Sequence, residues 1–273
     1  MNLSQFIRVN RDNLALEGVC RYETVRQTVY ISSRLRPLLR QKKAMETLAH
    51  LEITPVFDSL DKWRGCHLLT ASHPPSQSFL TGWQTSSHQR QVELIRSLGS
   101  ALGMVHSLRD VRSGPIDCPD PASTGELVAR QLGRYRILAV LRSGREAVGD
   151  NDMVEMAKKI WARPASSLVG NWQIFPDVRV AGDGLILKDF SQAGYFDPLW
   201  DLVRLDSACL DWHDADRFWE YLLQGYCASG ELSFDWRDRL TVLVELLRLQ
   251  DLAAGRQPRL METSQHNLWW ERY

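Results

Sequence analysis

Apolar residues in this chain keep two different rhythms, and the change from one to the other falls at a single place. Before the segment SHPPSQS (72–78) they come in short runs rich in β-branched and aromatic residues. After it, Val92, Ile95, Leu98, Leu102, Val105 and Leu108 recur at steps of three or four, which places them on one stripe of a long helix. Two adjacent prolines flanked by serines sustain neither helix nor sheet, so 72–78 reads as a connector. The sequence therefore predicts an α+β chain of two lobes, a small β-rich lobe over 1–75 and a larger helical lobe over 76–273 with a central β-hairpin.

Within the first lobe, TVRQTVYIS (Thr24 to Ser32) reads as one strand, ITPVFDSL and CHLLTAS as two more around a polar turn. Between them a helix starts near Pro37, with Leu38, Met45, Leu48 and Ala49 on its inner face. In the second lobe, VRVAGDG and GLILKDF form a hairpin around Gly182–Gly184. Helical patterns occupy 125–142, 150–162, FWEYLLQGY and RLTVLVELLRLQDLAAG.

Composition removes several classes of function. Lys plus Arg equals Asp plus Glu, 33 against 33, so the basic excess of a nucleic-acid binder is missing. No apolar run reaches the roughly 18 residues a membrane span needs, and the first residues carry no signal-peptide core. Five widely spaced cysteines without a CxxC pair suggest neither a disulfide framework nor a zinc site. A cytoplasmic protein with no membrane and no nucleic-acid partner is expected.

One stretch carries chemistry: LVGNWQIFPDVRVAGDGLILKDFSQAGYFDPLWDL (168–202). It resembles the catalytic segment of the aminoglycoside phosphotransferase and choline kinase family, which has a protein-kinase-like fold. That family carries H-G-D-x-x-x-x-N, a hairpin, an apolar-I-D-[FW] strand end and a G-D-P-x-x-D-L helix start. KDFSQAG matches the strand end and places Asp189 at the magnesium-ligand position; YFDPLWDL matches the helix start and places Asp201 where a carboxylate buttresses the catalytic loop. The separations, 18 residues from Asn171 to Asp189 and 12 from there to Asp201, suit the family. Gly103 to Leu108, with its Val-His pair, resembles the end of the family's long helix. ATP and magnesium are the cofactors this resemblance implies, with Asp177 a second metal ligand if the motif slips by one residue.

The same motif is altered where the reaction is most demanding. The position of the catalytic aspartate holds Asn171, and an amide cannot accept a proton from an acceptor hydroxyl at neutral pH. Val169 replaces the loop histidine, and Pro176 replaces the asparagine that would ligate metal. Ser32 or Ser33 stands where the strand lysine should hold the phosphates, leaving Arg34 as the nearest cation with Glu46 as its partner on the following helix. Gly18 is the only glycine among the first 60 residues, so no glycine-rich phosphate loop precedes the strand. Phosphoryl transfer depends on positioning and charge stabilisation. The expectation is therefore a catalytically degenerate, pseudokinase-type protein that binds a nucleotide, a small polar ligand or a protein partner in or near the interlobe cleft. The alternative is an atypical ATP/magnesium phosphotransferase acting on a small-molecule hydroxyl through Asp189, Asp177, Arg34 and Glu46.

Other residues have plainer readings. His106 lies near an apolar stripe and reads as a packed histidine. The acidic DWHDAD (211–216) reads as a helix cap rather than a metal knot. Trp172 reads as packing or a pocket wall, and Asp197 and Asp201 as buttresses rather than acceptor-side groups. LWWERY (268–273) reads as a docking end for the helical lobe or a partner.

Overall fold

The computed structural model describes residues 3, 5–6, 19–63, 65–143, 155–156, 158–159, 166–170, 177–209 and 215–256. Asn171, Trp172, Pro176, most of DWHDAD, most of 150–162 and LWWERY lie outside them.

The first lobe is a four-stranded antiparallel sheet in the order β1-β2-β4-β3 with one helix against it. Its strands are β1 (Cys20–Glu23), β2 (Gln27–Ser32), β3 (Val56–Trp63) and β4 (Cys66–Ser72). The single strand expected over 24–32 is instead the second arm of a hairpin. Thr24 N–H donates to the Gln27 carbonyl at 2.8 Å, and the Thr24 hydroxyl accepts from Gln27 N–H at 3.0 Å, so the side chain closes the turn that propensity alone had read as strand. Register then pairs Arg21 with Tyr30 and Glu23 with Thr28. Because side chains alternate across a strand, these four stand on one face of the sheet.

Helix α1 (Leu35–Leu48) follows β2 directly. It buries Leu38, Gln41, Ala44, Met45 and Leu48, an i, i+3, i+4 stripe, whereas Ala49 falls in the 3-10 turn beyond it and is exposed. The chain leaves that turn with Glu52 in the left-handed region, φ 56°. Ile53 carbonyl then accepts from Leu187 N–H at 2.7 Å, tying the first lobe to the second.

The connector does double duty. Past its two prolines, Gln77–Ser78 forms β5, which pairs antiparallel with β9 (Val178–Ala181) of the expected hairpin; β10 (Gly184–Leu187) completes that sheet. Ser78 caps the short helix α2 (Phe79–Gln84) by accepting from Thr81 N–H at 3.0 Å. Helix α3 (His88–His106) carries the long apolar stripe. A third sheet, in the order β6-β8-β11-β7, gathers β6 (Arg109–Asp110), β7 (Gly114–Pro115), β8 (Ser166–Val169) and β11 (Gly194–Phe196). Around it pack α4 (Thr124–Ser143), α5 (Leu199–Cys209), α6 (Ala215–Ser229) and α7 (Trp236–Ala253).

α3 and α6 meet backbone to backbone. A Cβ on Gly99 would lie 2.0 Å from the Leu222 carbonyl oxygen, and one on Gly225 would lie 2.0 Å from that of Arg96. Neither helix has room for a methyl at the crossing. Gly99→Ala is therefore expected to destabilise the protein by about 3 kcal/mol, the upper end for overpacking, although alanine favours helix. Gly133→Ala, in open space on α4, is the control that should be neutral or stabilising; urea denaturation of the two variants measures the difference.

Candidate functional site

The site lies where the face of the first sheet meets the hairpin β9–β10, the end of β8 and the start of α5. At the end of β8, Asp201 in the first turn of α5 accepts from Gly170 N–H at 2.8 Å through Oδ2. The same oxygen lies 3.1 Å from His106 Nε2 at the end of α3, and His106 Nδ1 lies 3.0 Å from the Tyr226 hydroxyl on α6. Burial pushes the Tyr226 phenol up, with Asp197 and Asp201 adding to it, so its hydroxyl keeps its proton and donates to Nδ1. Nε2 is then the protonated nitrogen and donates to Asp201. One buried carboxylate thus fixes the backbone immediately before Asn171.

Asp197 is a second buttress. It accepts from Leu199 N–H at 3.0 Å, capping α5, and forms a two-point ion pair with Arg239 of α7 in which Arg239 Nε donates to Oδ2 at 2.9 Å. Both side chains are almost fully buried. Asp197 and Asp201 therefore hold elements in place, as their sequence context suggests.

Asp177 and Asp189 approach one another across a cation from the first lobe. Arg21 Nη1 donates to Asp177 Oδ1 at 2.7 Å and lies 4.0 Å from Asp189 Oδ2. Asp189 sits in the left-handed region, φ 54°, which aspartate tolerates better than most residues. Its Oδ1 accepts from Ser191 N–H at 3.1 Å and from the Ser191 hydroxyl at 2.5 Å, closing a local turn. Above it is Tyr30, fully buried, whose phenol is pushed up by burial and by the nearby Asp189 charge. Phe190 N–H donates to the side-chain carbonyl of Gln41 from α1.

Beside this pair lies a second cation, Lys188, which is completely buried. Its ammonium donates to the Thr28 hydroxyl at 2.9 Å and to His73 Nε2 at 3.2 Å, and Glu23 Oε1 lies 3.5 Å away. His73 Nδ1 is 2.9 Å from the Pro74 carbonyl, to which it donates, leaving Nε2 as the acceptor. Burial lowers the His73 pKa, in keeping with a neutral ring. Arg179 shares Glu23 at 3.4 Å. Burial brings Lys188 down to about 8 against the pull of Glu23, with Arg179 and Arg21 pushing the same way as burial.

The residues singled out from sequence thus fall into three groups. Asp177 and Asp189 come together. Arg34 and Glu46 are exposed; Glu46 lies 3.7 Å from Lys42, and it is Gln41, from the opposite face of α1, that reaches the strand end at Asp189. Asn171 is outside the described residues. Arg21, Glu23, Gln41 and Lys188 escape the sequence reading. Reading 20–32 as a hairpin exposes two of them, because its register puts Arg21 and Glu23 on the face of Tyr30 and Thr28.

This arrangement of lobes is known from solved structures. A thermostable mutant of aminoglycoside phosphotransferase APH(4)-Ia, in ternary complex with ADP and hygromycin B, matches over 90% of this chain and 92% of its own, with a TM-score of 0.59 at 11% identity. The macrolide 2'-phosphotransferase MphH from Brachybacterium faecium matches over 96% and 97%, with a TM-score of 0.56 at 15% identity. Amicoumacin kinase hAmiN, in complex with AMP-PNP, Ca2+ and Ami, matches over 93% and 87%, with a TM-score of 0.55 at 14% identity. No family model and no curated protein sequence matches the chain. The chain has the two-lobed, aminoglycoside-phosphotransferase form of the protein-kinase-like fold, and at these identities the likeness is one of fold.

Two outcomes follow from the charges. Asp201→Ala leaves the Gly170 and His106 N–H groups buried without their acceptor and is expected to cost about 3 kcal/mol in chemical denaturation, with Asp201→Asn costing less. Lys188 binds fewer protons folded than unfolded between its lowered value of about 8 and its ordinary 10.5, so it makes stability rise with pH across that window. Lys188→Met is expected to flatten that rise and to be neutral or stabilising at pH 7, read from urea midpoints at each pH.

Proposed function

We propose that this is a catalytically degenerate, pseudokinase-type protein of the aminoglycoside-phosphotransferase fold, one that binds a nucleotide or small polar ligand in or near its interlobe cleft and does not transfer a phosphoryl group. The observation that carries this reading is the position of Arg21, whose guanidinium stands between Asp177 and Asp189. Magnesium demands near-octahedral oxygen ligation. A metal would have to expel a guanidinium already held at 2.7 Å, and Pro176 offers it no ligand. The residues present do not fit the metal, and a fixed internal cation takes over the neutralising part of its role.

Further support comes from the sheet face. Thr28, Tyr30 and Lys188 are fully buried there, so side chains fill the floor of the cleft beside the hairpin. Asn171 at the base position removes the proton acceptor that transfer to a hydroxyl would use. The active phosphotransferase is kept as a second reading because the carboxylate brace before Asn171 is intact and Lys188 supplies a cation beside Asp189. A cytoplasmic location agrees with the free thiols of Cys20, Cys66, Cys118 and Cys227, and among the described residues no helix is long and apolar enough to cross a membrane.

Thermal unfolding with ATP, in magnesium and in EDTA, tests the assignment on the wild type, Asp189→Ala and Arg21→Met. A ligand at about 100 times its Kd stabilises the folded state by about 2.7 kcal/mol. The expected shift is the same in EDTA as in magnesium, survives Asp189→Ala and is weakened by Arg21→Met, with no ADP formed above background. A magnesium-dependent shift lost in Asp189→Ala, together with acceptor-dependent ADP formation, would overturn it in favour of the second reading.

A further inference from the structure

Beside the loop that leads to Asn171, on the far side of β8 from the charged cleft, the second lobe encloses a cavity of about 250 Å3. Its walls come from separate parts of the chain. Leu127, Gln131 and Tyr135 follow one another at four-residue steps and form one face of α4. Gln192 and Tyr195 come from β11 and the turn before it, Trp200 from α5 and Gln250 from α7. Arg40 of α1 stands at the edge, its Nε donating to Asp117 at 2.7 Å.

The chemistry of this lining is selective. Three primary amides and two phenols line it, and no carboxylate does. An amide presents a donor and an acceptor together, which suits a hydroxyl that is both; it offers an ammonium group no opposite charge. Trp200, Tyr135 and Tyr195 supply aromatic surface for the apolar face of a ring. One acceptor is unspent: the Gln250 side-chain carbonyl is buried and has no partner within the protein. An unmade hydrogen bond of that sort is costly, and a ligand hydroxyl would satisfy it. Ligand sites of this type are concave, with a few polar groups that fix orientation.

We propose that this cavity binds a neutral polyhydroxylated ring, a monosaccharide or cyclitol, through Gln131, Gln192 and Gln250, and that it discriminates against aminated sugars. The proposal rests on the reading that this fold has kept a ligand site near its cleft, and it assigns the chemical class of that ligand. Val169 lines the cavity two residues before Asn171, so a bound ring lies next to the altered catalytic loop.

The test uses the full chain with myo-inositol, D-glucose, D-ribose and, as the aminated probe, 2-deoxystreptamine, followed by Trp200 fluorescence and thermal unfolding. At least one neutral probe is expected to bind, at least tenfold more tightly than 2-deoxystreptamine. Gln250→Leu is expected to weaken it tenfold or more while leaving the melting temperature unchanged or higher, because the unpartnered carbonyl is removed. Gln131→Leu, on the opposite wall, gives the same loss of affinity should Gln250→Leu disturb folding. Binding should be indifferent to Asp189→Ala, which separates this site from the nucleotide cleft. No binding of any neutral probe, tighter binding of 2-deoxystreptamine, or full affinity in both glutamine variants would each overturn the proposal, while a nucleotide shift that persists in Gln250→Leu would leave the cleft assignment standing.

Discussion

A single carboxylate, that of Asp201, decides whether the second lobe can hold its loop. It takes the Gly170 N–H and the His106 imidazole at once, so α3, α5 and the end of β8 converge on one buried oxygen. His106 passes the constraint on to Tyr226 and thereby to α6. Asp197, four residues earlier, does the same for α7 through Arg239. Such buried polar groups add little net stability when fully paired, yet removing one partner is expensive, and that asymmetry makes them good specifiers of geometry. The scaffold of a catalytic loop is therefore in place even though the loop's own residues have changed.

The charged cleft follows a different logic. Four groups from the face of the first sheet, Arg21, Glu23, Thr28 and Tyr30, meet Asp177, Lys188 and Asp189 from the second lobe. Each acid there has a basic neighbour supplied by the protein itself. A phosphate-binding cleft works by leaving charge unspent until its ligand arrives. Here Arg21 and Lys188 are already engaged with Asp177 and Glu23, so any anionic ligand competes with internal partners. Electrostatic stabilisation of transferring phosphoryl groups depends on preorganised, available charge.

Much of this was legible in the sequence, and the exceptions share a cause. The stripe on α3, the hairpin β9–β10 and the strand end at Asp189 each rest on a local period or motif, and each stands as read. The β1–β2 turn was missed because Thr24, Val25 and Arg26 sit in a run of strand-forming residues, and only the Thr24 hydroxyl marks the bend. Lys188 passed unnoticed inside a motif whose family form is apolar at that position. Its burial depends on Thr28, His73 and Glu23, which are far away in sequence. Arg34 and Glu46 were chosen for nearness in sequence, but the helix turns Glu46 outward and buries Gln41 instead. Side-chain direction on a helix is a matter of about 100° per residue, and nearness along the chain does not supply it.

The crossing of α3 and α6 also sets the kind of motion open to the molecule. Where two helices touch through side chains, rotamer changes let them slide past one another. Here the carbonyls of Leu222 and Arg96 occupy the spaces where Gly99 and Gly225 have no side chain, leaving no deformable layer between the two backbones. Sliding within the second lobe is blocked at that crossing, and opening of the cleft falls instead to rotation about the few residues between β4 and β5, with the Ile53–Leu187 hydrogen bond as its stop.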